Sequence, residues 1–384
     1  MYYQNGFTGA SLPSKTLCLT FDDGPGITQG DGPGPHTLEL AQYLNQRGIA
    51  ATFFTVGKYA AQYQDILSQM QSYGHLVANH TVEHPQLVDY LSAGGDLFDQ
   101  VARTDGHIQK WIDGSTIFFR PPYGAWSPDV AKALNDNFAV CLNHVGPILW
   151  DIDGEDWACW QNGTTPQDCF QGYLNQIVKK GHGIVLMHDS SADQDAVRKL
   201  NMTYALTQLL VPALQQQGYQ FVRLDSITEI KAASQVPFQF ALLASNGKYV
   251  SPQGGGGGQI LVNGPTVGPW EPFGVEDVGF GKVAIRAANG LYLSPQDGGG
   301  DGKEVLANGP AVGEWESLDL ITVGRGQVAF RTIRGFFLTR ESVDGGRLMA
   351  NVTSMREWEV FRFTNLSAGA KQASKKSCPS QGTP

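Results

Sequence analysis

The sequence predicts an α/β barrel followed by an all-β domain made of repeats. Two observations carry that expectation. From Leu17 to Leu224, short β-branched or aromatic runs alternate with longer segments at helical period, the pattern of βα units around a parallel sheet. After Pro237 the helical period disappears, glycines multiply, and a segment of 43 to 45 residues recurs three times. Length agrees with this division, since 384 residues at roughly 100 to 200 per domain favour two or three domains. With 41% hydrophobic and 16% charged residues the chain has enough apolar material for sizeable cores.

In the first half, strands are expected at Leu17 to Phe21, Thr52 to Val56, His75 to Asn79, Ile117 to Arg120, Ala139 to Leu142, Ile184 to His188 and Phe221 to Leu224. Helices are expected at Thr37 to Gln46, Ala60 to Ser72 and Met202 to Gln217, the last stopped by Gly218. That many strands suggests a closed or nearly closed barrel. In the second half, Asn246-Gly-Lys-Tyr-Val-Ser251 returns as Asn289-Gly-Leu-Tyr-Leu-Ser294 and, more loosely, as Arg334-Gly-Phe-Phe-Leu-Thr339. Asn263, Asn308 and Asn351 each precede by seven residues a Trp-Glu pair, at Trp270-Glu271, Trp315-Glu316 and Trp358-Glu359. The tail from Ser367, with Lys375 and Lys376, reads as disordered linker. The expected domains are therefore residues 1–235, 236–366 and the tail 367–384.

A net charge of −9 argues against a nucleic-acid partner, which calls for a basic stripe. The charge is uneven, with 13 basic against 23 acidic residues in 1–235 and 14 against 13 in 236–384, so the two halves are expected to do different work. No run of 18 apolar residues suggests a membrane span, and Met1 to Thr16 lacks the apolar region of a signal peptide. Among five cysteines, Cys159 and Cys169 have the spacing of a local disulfide in a loop. Sequons at Asn162, Asn201, Asn351 and Asn365 permit glycosylation, and the balance favours a secreted protein over a cytosolic one.

The chemistry sits at expected strand ends. Thr20-Phe-Asp-Asp-Gly-Pro25 places adjacent carboxylates after the first strand, where a twist into a turn aims both at one site. His80-Thr-Val-Glu-His84 spaces two imidazoles by four residues, which on one helical turn share a face and clamp a divalent metal. Glu83 stands next to the second His rather than after the first, so this is not a zincin signature. A third ligand is wanted, and Asp22 or Asp23 is the natural source. Zinc suits mixed imidazole and carboxylate ligands, with cobalt or nickel as substitutes. Arg120-Pro-Pro-Tyr-Gly124 is a stiff turn carrying an arginine, Trp150 to Trp157 packs four acids between two tryptophans, and Ile184 to Asp189 ends a buried strand on a histidine. Two Gly-x-Gly-x-x-Ala matches, at Gly279 and Gly324, lack the following helix of a dinucleotide fingerprint.

In this order the five segments resemble the motifs of the NodB-type polysaccharide deacetylases, carbohydrate esterase family 4, over about residues 15 to 230. The resemblance implies a distorted (β/α) barrel and a metal-dependent deacetylase. It implies Asp22 as general base and Asp23, His80 and His84 as metal ligands. Arg120 would orient the base and the Tyr123 amide would help hold the oxyanion. His188 would be the general acid, steadied by Asp156, with Trp157 and Leu186 lining the acetyl pocket. Asp151 and Asp153 compete with Asp156 for that role, and adjacency to Trp157 favours Asp156. The implied substrate is an acetylated polysaccharide or oligosaccharide, with N-acetylglucosamine polymers such as chitin favoured. Acetylxylan esterase, peptidoglycan deacetylase and an inactive carbohydrate-binding protein are the alternatives. The three repeats resemble a β-trefoil, most closely that of fascin-like domains. There Tyr249 and Tyr292 either stack on sugars or, with Phe337, fill one core position per repeat, as would Trp270, Trp315 and Trp358.

Overall fold

Side chains on a barrel strand alternate between the barrel axis and the surrounding helices, and the buried residues of this chain split in that way. Leu17, Leu19, Phe21, Phe53, Val77, Val185 and Met187 pack with helix residues such as Leu40, Leu67, Leu210 and Leu214. Cys18, Phe54, Leu76, Ala78, Phe118 and Ile184 form a separate core on the opposite faces of the same strands. The computed structural model describes residues 1–28, 30, 32–279, 281–324 and 326–367. Two compact units divide the described residues: Tyr2–Leu134 with Asn143–Gln235, and residues 236–367 with Met1 and Asn135–Leu142.

In the first unit the strands are β1 (Tyr2–Phe7), β2 (Thr16–Asp22), β3 (Thr52–Thr55), β4 (Leu76–Asn79), β5 (Ile117–Phe118), β6 (His144–Ile148), β7 (Ile152–Asp153), β8 (Gly183–His188) and β9 (Gln220–Phe221). They pair in the order β4-β3-β2-β8-β7, with β9 also on β2, and in the order β1-β6-β5. A parallel bridge between Asn79 and Phe119 joins the two groups. Every ladder is parallel, as βα crossovers require.

Two local expectations fail. Residues expected as a strand at Ala139 to Leu142 form the helix Phe138–Cys141, capped by the Asn137 side chain on the Ala139 amide, and the strand follows it as β6. Phe138 anchors this helix in the second unit, its ring edge-on to Phe240 at 4.8 Å and Phe363 at 5.2 Å, so an apolar run was mistaken for a strand. The helix expected over Ala60 to Ser72 breaks at Tyr63 into Gly57–Gln62 and Gln64–Ser72.

The second unit is all-β. Its strands are β10 (Gln239–Leu243), β11 (Tyr249–Pro252), β12 (Ile260–Gly264), β13 (Phe273–Gly279), β14 (Lys282–Arg286), β15 (Tyr292–Pro295), β16 (Val305–Gly309), β17 (Leu318–Gly324), β18 (Gln327–Arg331), β19 (Phe337–Ser342), β20 (Gly345–Val352) and β21 (Phe361–Asn365). Antiparallel pairing runs from β10 to β13, β14, β17, β18, β21 and back to β10, closing a barrel without a free edge. The Gly279 and Gly324 segments are hairpin turns between β13 and β14 and between β17 and β18, with no helix after them.

The recurring Trp-Glu pairs divide their labour. Glu271 is buried, accepting from Ser251 Oγ at 2.6 Å and the Gly268 amide at 2.7 Å. Glu359 repeats this with Thr339 and the Arg356 amide, and Glu316 accepts from the Gly313 amide. Two of the tryptophans are not core residues, Trp270 and Trp315 each being 42% exposed, and Trp358 is half-buried under the Arg340 guanidinium; at the other position Tyr292 and Phe337 are buried and Tyr249 half-buried. Ser367, expected to begin the tail, is buried with its Oγ accepting from the Gln239 amide at 2.7 Å; residues 368–384 lie outside the described residues.

Candidate active site

The alternation that separates the two cores also aims the site. Asp22 follows Cys18 and Thr20 on the inward face of β2, and His188 follows Ile184 and Leu186 on that of β8. Strand register sets Thr20 opposite Leu186 and Asp22 opposite His188. His80 continues the inward parity of Leu76 and Ala78, and Arg120 continues that of Phe118. Adjacent residues on a strand point apart, so Asp23 joins Asp22 only because the chain leaves the strand there at φ +77°.

Three side chains converge. Asp23 Oδ1 lies 3.7 Å from His80 Nε2 and 3.1 Å from His84 Nε2, all three residues are buried, and their ligand atoms lie within 4.8 Å of one another. Both Nδ1 atoms are already engaged, His80 with the Arg120 carbonyl at 2.8 Å and His84 with Asp193 Oδ2 at 2.6 Å. Both partners accept only, so each Nδ1 carries its proton and each Nε2 is the atom left to face a metal. Asp23 Oδ1 is buried with no hydrogen-bond donor, an orphan that a cation would satisfy. The donor set fits a divalent metal with positions left for water. The histidines do not sit on a helical turn, as the spacing suggested. Residues 80–84 form an irregular turn in which Thr81 and His84 take φ of +66° and +62° and the His84 amide donates to Thr81 Oγ1 at 3.1 Å.

Arg120 is wholly buried. Its Nη1 donates to Asp22 Oδ1 at 2.6 Å and Thr20 Oγ1 at 2.9 Å, its Nε donates to the Ile148 carbonyl at 3.1 Å, and its guanidinium lies 4.1 Å over the Phe54 ring. That set leaves Asp22 Oδ2 facing the Asp23, His80 and His84 cluster, 3.6 Å from His80 Nε2. His188 Nδ1 meets Asp156 Oδ1 at 2.7 Å, and Asp156 Oδ2 accepts from the His188 amide and Thr203 Oγ1, each at 2.8 Å. Of the three competing acids, Asp156 alone makes this contact among the described residues. Asp151 instead accepts from the Gly9 and Ile184 amides and Asp153 from the Glu155 amide.

Charge follows the geometry. Burial pulls the His188 imidazole down, but Asp156 overrides it and holds the group at about 10. Burial lowers His80 to about 4, keeping it neutral as a ligand must be. Burial would raise the Asp23 carboxyl, yet His84 and His188 hold it well below the usual carboxylate range; burial pulls His84 down in turn, but Asp23 and Asp193 override it and hold that imidazole at about 9, a proton that a bound metal would displace.

Tyr123 occupies the turn Pro122–Gly124 at φ +58°, 60% exposed, its hydroxyl donating to Asp193 Oδ2. Leu186 is buried and Trp157 is exposed at the start of the helix Asp156–Gln161. Cys159 and Cys169 are disulfide-bonded, joining that helix to Pro166–Lys180 rather than spanning a loop. Asn201 is buried and donates to the His188 carbonyl at 2.8 Å, so its sequon is structural. Sequence reading missed Asp193, which lies in no motif, and Thr203, which entered only as the last residue of the Asn201 sequon; both act only through the fold.

The polysaccharide deacetylase family model matches residues 9–138. A chitooligosaccharide deacetylase of Azorhizobium caulinodans is 30% identical over 213 residues, covering 53% of this chain and 90% of that protein. A peptidoglycan-N-acetylglucosamine deacetylase of Bacillus cereus is 28% identical over 231 residues, 59% of this chain and 95% of that protein. Among solved structures, the chitin deacetylase of the fungal pathogen Colletotrichum lindemuthianum matches with a TM-score of 0.45 and 24% identity, covering 59% of this chain and 91% of that chain.

Proposed function

Because the chain belongs to the polysaccharide deacetylase family, we propose that it is a zinc-dependent hydrolase that removes N-acetyl groups from N-acetylglucosamine polymers, chitin or its oligosaccharides, releasing acetate. The observation that carries this reading is the facing pair of β2 and β8 ends. They set one carboxylate, Asp22, and one carboxylate-backed imidazole, His188, beside the Asp23, His80 and His84 cluster. A zinc ion bound by those three supplies Lewis acidity toward the acetyl carbonyl. Asp22, held by Arg120, takes a proton from the attacking water as its oxygen bonds to the acetyl carbon. His188, kept charged by Asp156, gives a proton to the nitrogen as the C–N bond breaks, so an amine and acetate leave. The Tyr123 amide is a donor for the oxyanion, and Leu186 and Trp157 line the acetyl methyl.

The relatives' names, chitooligosaccharide and peptidoglycan-N-acetylglucosamine deacetylases, support amide rather than ester hydrolysis. The disulfide supports an oxidising, extracellular setting. The three sequence repeats and the closed antiparallel pairing support a β-trefoil for the second unit, with carbohydrate as its ligand. The exposure of Trp270 and Trp315 supports them as the aromatics that stack on sugars, and the burial of Tyr292 weighs against that tyrosine.

The test is acetate release from chitin oligosaccharides, peptidoglycan and acetylxylan, with and without chelator, using Asp22→Asn as control. Chelator-sensitive release from chitin oligosaccharides that zinc restores and Asp22→Asn abolishes is the expected result. Release from acetylxylan alone would make the protein an esterase, and release from peptidoglycan alone would move the substrate to the bacterial wall. Silence on all three would favour a binding role.

A further inference from the structure

We propose that Asp193 is a positioning residue: one of its carboxylate oxygens holds both the metal ligand His84 and the Tyr123 turn in register. This inference rests on the metal reading given above. Asp193 lies in the segment between β8 and the helix Asp195–Lys199, beyond the last motif. Its Oδ2 accepts from His84 Nδ1 at 2.6 Å and, on the same atom, from the Tyr123 hydroxyl. The two donors also touch each other, their rings 4.8 Å apart between centroids and tilted by 53°.

The three ligands differ in how their directions are set. His80 extends a sheet strand, its amide donating to the Thr55 carbonyl at 3.1 Å and its Nδ1 engaging the Arg120 carbonyl, so the sheet orients it. His84 belongs to no regular element and sits at positive φ. Its ring orientation and tautomer are therefore fixed by the acceptor on Nδ1, which is Asp193. The same segment reaches a second ligand, because the Ala192 amide donates to Asp23 Oδ2 at 3.0 Å and leaves Oδ1 for the imidazoles. The Ala192 carbonyl is in turn held by the Tyr59 hydroxyl at 3.1 Å and by Lys58 Nζ at 3.4 Å. Residues 192 and 193 thus brace two of three ligands from outside. Through the Tyr123 hydroxyl the brace extends to the turn whose amide the proposed function assigns to the oxyanion.

The experiment measures zinc affinity of the full chain by competition with a chromogenic chelator, for wild type, Asp193→Ala, Asp193→Asn and Tyr123→Phe. Loss of an outer hydrogen-bond partner weakens metal affinity by roughly 10- to 100-fold, and Asp193→Ala is expected to fall in that range, with Asp193→Asn between it and wild type. Tyr123→Phe is expected to keep zinc affinity within about twofold, since the His84 bond survives, while kcat falls with KM little changed. Melting in excess chelator reports folding apart from metal, and every variant is expected to unfold there in a single transition above the temperature of the affinity measurement, Asp193→Ala somewhat below wild type for its unpaired buried imidazole. Wild-type zinc affinity in Asp193→Ala overturns the inference alone. A wild-type chain that binds no zinc overturns the metal reading and this inference with it.

Discussion

His188 meets Asp156 from two directions, through Nδ1 and through its own amide, and this pairing makes the clearest residue-scale prediction. An acid catalyst is active while protonated, so activity falls as pH rises through its pKa. With Asp156 present that limb is expected near pH 10, against an ordinary value of 6.5. Asp156→Asn is expected to move the alkaline limb of kcat/KM down toward 6.5 while the protein stays folded, and a limb that does not move would remove His188 from the role of acid. Linkage gives the matching stability effect. The bond to Asp156 stabilises the fold fully below about pH 6.5, and that contribution is lost as pH climbs through about 10. Arg120 is the second case. Its donors fork between Asp22, Thr20 and the Ile148 carbonyl, a geometry that an ammonium does not reproduce. Arg120→Lys is expected to lower kcat by about 100-fold or more, the order of one misplaced catalytic group, with KM little changed. The carboxylates and histidines of this site were legible in sequence because each sits in a dense motif. Asp193 was not, because an isolated aspartate in a loop carries no periodic or spacing signal.

At the scale of elements, the site is built where strands stop. Asp23, Thr81, His84, Tyr123 and Glu155 all have positive φ, and each lies in or beside a site segment. For residues with a Cβ such conformations cost about 1–3 kcal/mol apiece and persist only where the surroundings impose them. The segment after β2 shows how. The Gly26 amide donates to Thr37 Oγ1, and that hydroxyl donates to the buried Asp189 that follows His188. A Cβ placed on Gly24 would lie 1.9 Å from Asp189 Oδ2. Gly24→Ala is therefore expected to cost about 1–3 kcal/mol of stability, as overpacking does, read as a lower urea midpoint with an unchanged m-value. A variant as stable as wild type would show that the segment yields. Helices and strands of the barrel were readable from period, as Thr37–Gln46 and β8 illustrate. The helix Phe138–Cys141 was not, since four residues are too few for periodicity and its partners lie a hundred residues away.

At the scale of the whole molecule, two expectations concern what binds. Zinc that prefers the folded chain raises its stability by mass action, by about 2.7 kcal/mol at a hundredfold excess over Kd. Melting is expected to rise on adding zinc to chelator-treated protein and to do so far less in His80→Ala, whereas an unchanged wild-type melting temperature would argue against a metal site. Replacing Trp270 and Trp315 together by alanine is expected to weaken retention on insoluble chitin while acetate release from short oligosaccharides stays at the wild-type rate. Undiminished retention would remove the tryptophans as ligand contacts. The sequence by itself determined the α/β and all-β halves, the repeat, and the residues that converge, because hydrophobic period and dense motifs are local signals. Only the tertiary structure decided which of three acids backs His188, that the His80 and His84 pair sits on an irregular turn, that Asp193 stands behind His84, and that Trp270 and Trp315 are exposed while the glutamates beside them are buried. Each of those depends on contacts between segments far apart in the chain, set by strand register and packing that no local pattern encodes.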